Sequence, residues 1–137
     1  MSQRLSLSQV VGMGAKAGVI AACDHRTQRT QIQNLFEVLK EYEYPDSVNV
    51  LQLYIAYQAG RGHIDRNTAK QLIQDIRQIA SSTSDNKEGK ELLRSYLGAV
   101  RWAYTAIDRG RPYRACRAAQ RLRPVLDDVI RALFNLS

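Results

Sequence analysis

Glycine and proline are scarce in this chain, eight and three among 137 residues. Turn-rich all-β architectures rely on both at their tight turns. No Asn-Gly pair and no period-two alternation of apolar residues offers a hairpin. Cysteine is limited to Cys23 and Cys116, far apart, without a CxxC pair or a Cys/His cluster. Neither a disulfide framework nor a zinc site is signalled, and a reducing, cytoplasmic setting is expected. Histidine is limited to His25 and His63, and neither falls in a nucleophile motif with Ser or Cys. No run approaches the roughly 18 apolar residues of a membrane-spanning helix.

The remaining candidates for chemistry are weak. Asp127 and Asp128 are adjacent and so about 100° apart on a helix, which is unsuited to a shared metal or an acid/base pair. Nearby Arg123, Arg131 and solvent suffice as their partners. Gly12 and Gly14 fit neither the Walker pattern nor the dinucleotide fingerprint and follow no strand. No catalytic residue, metal ligand or cofactor is expected. Arg4 precedes a small-residue, apolar stretch ending Ile20-Ala21-Ala22-Cys23, which resembles a lipoprotein cleavage box. Ser8, Gln9, Lys16 and three glycines interrupt the apolar region that a signal peptide needs, so the stretch is expected to belong to the fold.

Helical spacing of apolar residues appears in every segment. Leu7, Val10, Val11, Ala15 and Val19 define one helix face, with Ser6 or Ser8 as caps and with glycines at 12, 14 and 18 that let another backbone approach. Ile32, Leu35, Phe36 and Leu39 define a second helix, stopped at Tyr44-Pro45. Asp46 caps a third through Tyr57, closed by Gly60. Asp65 caps a fourth carrying Leu72, Ile73, Ile76 and Ile79. A polar loop over 81–89 precedes a fifth with Leu93, Tyr96, Leu97, Val100, Tyr104 and Ile107, which ends near Gly110. Pro112 begins a sixth running to Phe134, kinked or restarted at Pro124. The expected fold is all-α, a compact single-domain bundle of about five to six helices over residues 1–137.

The formal charge is +7, and all of it lies in residues 90 to 123. Lys90, Arg94, Arg101, Arg109, Arg111, Arg114, Arg117, Arg121 and Arg123 stand there against Glu91 and Asp108, whereas the remainder of the chain is neutral. Eight of the nine are arginine, whose planar fork matches phosphate oxygens bidentately. The pattern points to a polyanion. Arg114, Arg117 and Arg121 are spaced as one helical stripe, Arg94 and Arg101 as another, and Arg109 and Arg111 lie at the turn between them. A basic helical hairpin over 90–137 following a neutral part over 1–89 would gather all seven. A stripe from Arg114 to Arg121 spans roughly 10 Å, enough for two or three phosphates. Tyr96, Trp102, Tyr104 and Tyr113 interleave with the arginines. Tyr96 and Tyr104 lie on the apolar side and are expected in the core; Trp102 lies off it, as a subunit contact or a base-stacking residue.

The segment LQLYIAYQAGR at 51–61, followed by a helix and by LLRSYLGAVRWAYTAIDRG at 92–110, resembles the small all-helical subunit of type III CRISPR effector complexes. The resemblance covers roughly residues 32 to 110, and 1–30 and 111–134 match it less. It implies a non-enzymatic subunit that stacks in several copies and lines the channel holding guide RNA and target RNA. It also implies backbone-contacting roles for Arg61, at the end of Tyr57-x-Ala59-Gly60-Arg61, and for Arg101. Larger catalytic and backbone subunits would be its partners, and any nuclease or cyclase activity would be theirs. The alternatives are a stand-alone helical DNA-binding or regulatory module that reads DNA with the arginines after Pro112, and an adaptor whose basic face docks an acidic protein.

Overall fold

The computed structural model describes residues 4–110 and 113–136, the side chains of Tyr113 and Arg114 excepted. Within them lie seven α-helices and no strand. They are α1 (Leu7–Cys23), α2 (Arg29–Glu41), α3 (Asp46–Gly60), α4 (Arg66–Ser81), α5 (Asn86–Gly110), α6 (Tyr113–Arg117) and α7 (Leu126–Phe134), with a 3-10 turn at Ala119–Arg121. The expected all-α class is found. The count is seven because the segment read as a sixth helix is divided.

The break before α7 has a local cause. Pro124 has no amide to donate and disfavours helical backbone in the residue before it. Leu122 is already extended (φ −62°, ψ 135°) and α7 starts only at Leu126. Other boundaries shift by a residue or two. The expected loop over 81–89 shrinks to 82–85, because the Asp85 carboxylate accepts from the Lys87 and Glu88 amides and starts α5 early. Asp46 is the first residue of α3 rather than its cap, and the left-handed turn after α3 falls on Gly62 (φ 79°), not Gly60. Ser6 and Gln9 close a reciprocal capping box at α1, and Asp65 caps α4 as expected.

α1 is the central helix. The sequence assigns it one apolar face, yet burial wraps most of its circumference and Leu7 is left exposed. The reason is that α1 and α5, packed along each other, form the wall between two apolar clusters. Val10, Met13, Ala17 and Ala21 face the larger one, with Leu35, Leu51, Leu72, Ile76 and Tyr96. Ala15, Val19 and Ile20 face the smaller one, with Ile107, Ala115, Ala119 and Val129. A helix with Lys16 as its only charge suits that position.

Glycine makes the close packing possible. A Cβ at Gly14 would stand 2.8 Å from Ala99 Cβ and run into the Tyr96 carbonyl oxygen. One at Gly18 would stand 2.8 Å from Ala103 Cβ and run into the Val100 carbonyl oxygen. Two small residues four apart on α1 thus meet two small residues four apart on α5.

Cys23, at the end of α1, is disulfide-bonded to Cys116 in α6, 93 residues away with a Cα–Cα distance of 5.4 Å. This differs from the sequence reading, which found no disulfide signal. The two thiols meet through helix packing, and neither spacing nor composition encodes that. The bridge ties α6 to the central helix and belongs to a class that typically contributes about 2–4 kcal/mol.

Candidate nucleic-acid interface

α2 and α5 run antiparallel, and two contacts fix their register: Arg29 forms an ion pair with Asp108, and the Arg101 guanidinium lies 4.9 Å from the Phe36 ring centroid. In the same register Lys40 lines one groove with Lys90 and Arg94. Seven residues separate Arg29 from Phe36, and seven separate Arg101 from Asp108, so both helices present a stripe along the seam. At the end away from the Arg29–Asp108 pair the seam opens into a groove of about 410 Å³. Phe36 and Leu39 are its apolar lining; Lys40, Lys90, Arg94 and Arg101 are its cations, and Glu37 is its one acid. Among the described residues no carboxylate pairs with any of those four cations.

Of the residues singled out from the sequence, the groove brings together Arg94 and Arg101. Arg61 sits at the end of α3, 5.5 Å from the Tyr57 ring centroid, and both side chains are exposed. Arg109 is exposed in the last turn of α5. Arg117 ends α6 and Arg121 ends the 3-10 turn, both exposed on segments that pack against α1. The continuous stripe expected from Arg114 through Arg121 is therefore interrupted, because the helix stops at Arg117. Arg111 and the side chains of Tyr113 and Arg114 lie outside the described residues. Arg123 is engaged elsewhere: its Nε and one terminal nitrogen donate to the two Asp128 carboxylate oxygens at 2.7 and 3.2 Å. That bond holds the Asp128 carboxyl below the ordinary carboxylate range. Asp127 pairs with Arg131 at 3.0 Å.

Sequence reasoning missed Lys40 and Phe36, which come from the neutral half. The available signal was the matched seven-residue spacing of Arg29–Phe36 and Arg101–Asp108, together with Lys40 one turn beyond Phe36. Tyr96 and Tyr104 are core residues, as read. Trp102 is 72% exposed and, with Phe134 at 70%, borders an apolar groove of about 370 Å³ between α5 and α7.

Two polar networks, a half-buried one at Asp24 and a buried one at Asp75, lie away from the groove cations. Asp24 accepts from the Arg26 and Thr27 amides at 2.7 and 2.8 Å and from the Thr27 and Thr68 hydroxyls, joining the end of α1 to the loop that follows it and to α4. Asp75 on α4 accepts from the Tyr96 hydroxyl at 2.7 Å and from Gln71 Nε2 at 2.9 Å. Burial pushes the Asp75 carboxyl up to about 6 despite those bonds. Among the described residues no group of three or more His, Cys, Asp or Glu is placed to hold a metal, and no helix is long and apolar enough to cross a membrane.

No known protein family, curated protein or solved structure matches the chain.

Proposed function

We propose that this chain is a non-catalytic, RNA-binding structural subunit of a type III CRISPR ribonucleoprotein. In this reading it stacks in copies along the complex and contacts the backbone of guide or target RNA through exposed cations. The observation that carries the reading is the gathering around the α2/α5 groove of four cations that no carboxylate pairs among the described residues, with Arg61, Arg109, Arg117 and Arg121 exposed beyond it. Phosphate contacts of this kind hold a strand without reading its sequence, which suits an assembly in which the guide supplies specificity. A small cationic area on each chain suits a protein used several times in a row. The exposed Trp102 and Phe134 beside the apolar groove support contact between copies or with larger subunits of the complex.

The alternative of DNA reading by a helix after Pro112 is less well supported, because α6 has five residues and covers only about 7 Å. We place the protein in the cytoplasm, in RNA-guided antiviral defence. A disulfide is uncommon in a reducing cytosol, so this placement requires the core to hold with both thiols free.

Native mass spectrometry of the assembly purified through a tag on this chain tests the reading. The expected result is RNA, larger subunits and more than one copy of the chain in the same particle. Recovery of the chain alone, or with an acidic protein and no RNA, would contradict it.

A further inference from the structure

The α2/α5 groove combines three properties that together select a ligand. Its cations are uncompensated: Lys40, Lys90, Arg94 and Arg101 face Glu37 alone, and none forms an ion pair among the described residues. Like charges repel across an empty groove, and a bound anion converts that repulsion into attraction. One of the cations is braced. Arg101 lies against the Phe36 ring at 4.9 Å, so part of its rotamer freedom is already lost before any ligand arrives. The remaining edge of a stacked guanidinium is free to meet phosphate oxygens.

The lining is apolar beneath the charge, through Phe36 and Leu39. Inorganic phosphate would leave that surface unused, and a duplex keeps its bases stacked and turned away from it. A single strand offers both a phosphate chain for the cations and an unstacked base or sugar for the apolar surface. The dimensions agree. From Lys90 to Arg101 along α5 is roughly 16 Å, room for two or three consecutive phosphates.

We propose that this groove is the principal seat for two or three consecutive nucleotides of single-stranded RNA, with Lys90, Arg94 and Arg101 on the phosphates and Phe36 against a base or sugar. Lys40 completes the cationic rim from α2, and the arginines after Gly110 are secondary. The proposal rests on the RNA-binding reading above and adds the location to it.

Fluorescence anisotropy with a labelled oligouridine and the full chain separates the two. The double variant K90E/R94E is expected to weaken binding by about tenfold or more, and R117E/R121E by about threefold or less. Phe36→Leu is expected to weaken binding severalfold while leaving the salt dependence unchanged, because stacking releases no counterions. Circular dichroism of each variant checks the fold, and K90Q/R94Q gives the same ranking with a smaller change if charge reversal disturbs it. Wild-type affinity in K90E/R94E, with loss in R117E/R121E, would overturn the groove and leave the RNA reading standing. Failure of the unmodified chain to bind oligouridine at low salt would overturn both. Polyglutamate competing as well as RNA would overturn the choice of a nucleotide and point to an acidic protein.

Discussion

At Gly14 and Gly18 a hydrogen stands where any other residue would place at least a methyl group, and the space is taken by the α5 backbone and by Ala99 and Ala103. Alanine is worth about 1 kcal/mol over glycine within a helix, but here the added Cβ pushes α1 away from α5. Gly14→Ala is therefore expected to lower stability by about 1–3 kcal/mol, the usual range for overpacking. Urea unfolding reads it, and an unchanged or raised midpoint would show that the two helices are not in such close contact. Asp75 makes a pH-dependent case at the same scale. Its carboxyl rises from an ordinary 3.8 to about 6 on folding, with burial as the main cause. Between those values the folded protein binds the proton that the unfolded chain has lost, so this group's contribution to stability falls as pH rises through that window. Asp75→Asn removes the titration and keeps an acceptor for Tyr96. Its stability relative to the parent is expected to improve by on the order of 2–3 kcal/mol from about pH 4 to pH 7. A pH-independent difference between the two proteins would contradict a buried carboxyl that holds its proton more tightly in the folded state.

The elements themselves were mostly legible, and the reasons differ from one to the next. α2, α4 and α5 follow directly from apolar residues three and four apart, because each has one wet face and one dry face; α3 is less regular, with Leu53 and Tyr57 exposed and Ser47 and Gln58 buried. α1 follows less directly: its period signals a single face, whereas its scarcity of charge signals the burial on nearly every side that is found. The segment after Gly110 was legible only as helical in general. Pro124 marks where it breaks, but the five-residue α6 and the 3-10 turn before it depend on how that segment packs against α1. The Cys23–Cys116 bridge has the same origin, since a contact between residues 93 apart is a property of packing rather than of local sequence. Half of the candidate site was readable for this reason and half was not. Arg94 and Arg101 stand out as a stripe in a basic window, while Phe36 and Lys40 belong to a neutral helix whose pairing with α5 is long-range.

For the whole molecule the decisive feature is the distribution of charge. Three acids in or beside the basic window are occupied, Asp108 by Arg29, Asp127 by Arg131 and Asp128 by Arg123, whereas among the described residues Glu91 forms no ion pair and the groove cations have no carboxylate partner. Two apolar clusters on either side of the α1/α5 wall hold the framework, and α5 serves both that framework and the cationic groove. In the proposed RNA-binding reading, binding strength belongs to a few phosphate contacts on each chain rather than to a continuous basic surface. That count is measurable. For single-stranded nucleic acid each neutralised phosphate contributes about 0.7 to the logarithmic salt slope. Two or three contacts predict that the affinity of the chain for single-stranded RNA falls about 7-fold to 18-fold between about 50 and 200 mM salt. Titrating labelled oligouridine across that range is the most direct measurement of the central claim: a fall of that size is the predicted result, and an affinity independent of salt would contradict it.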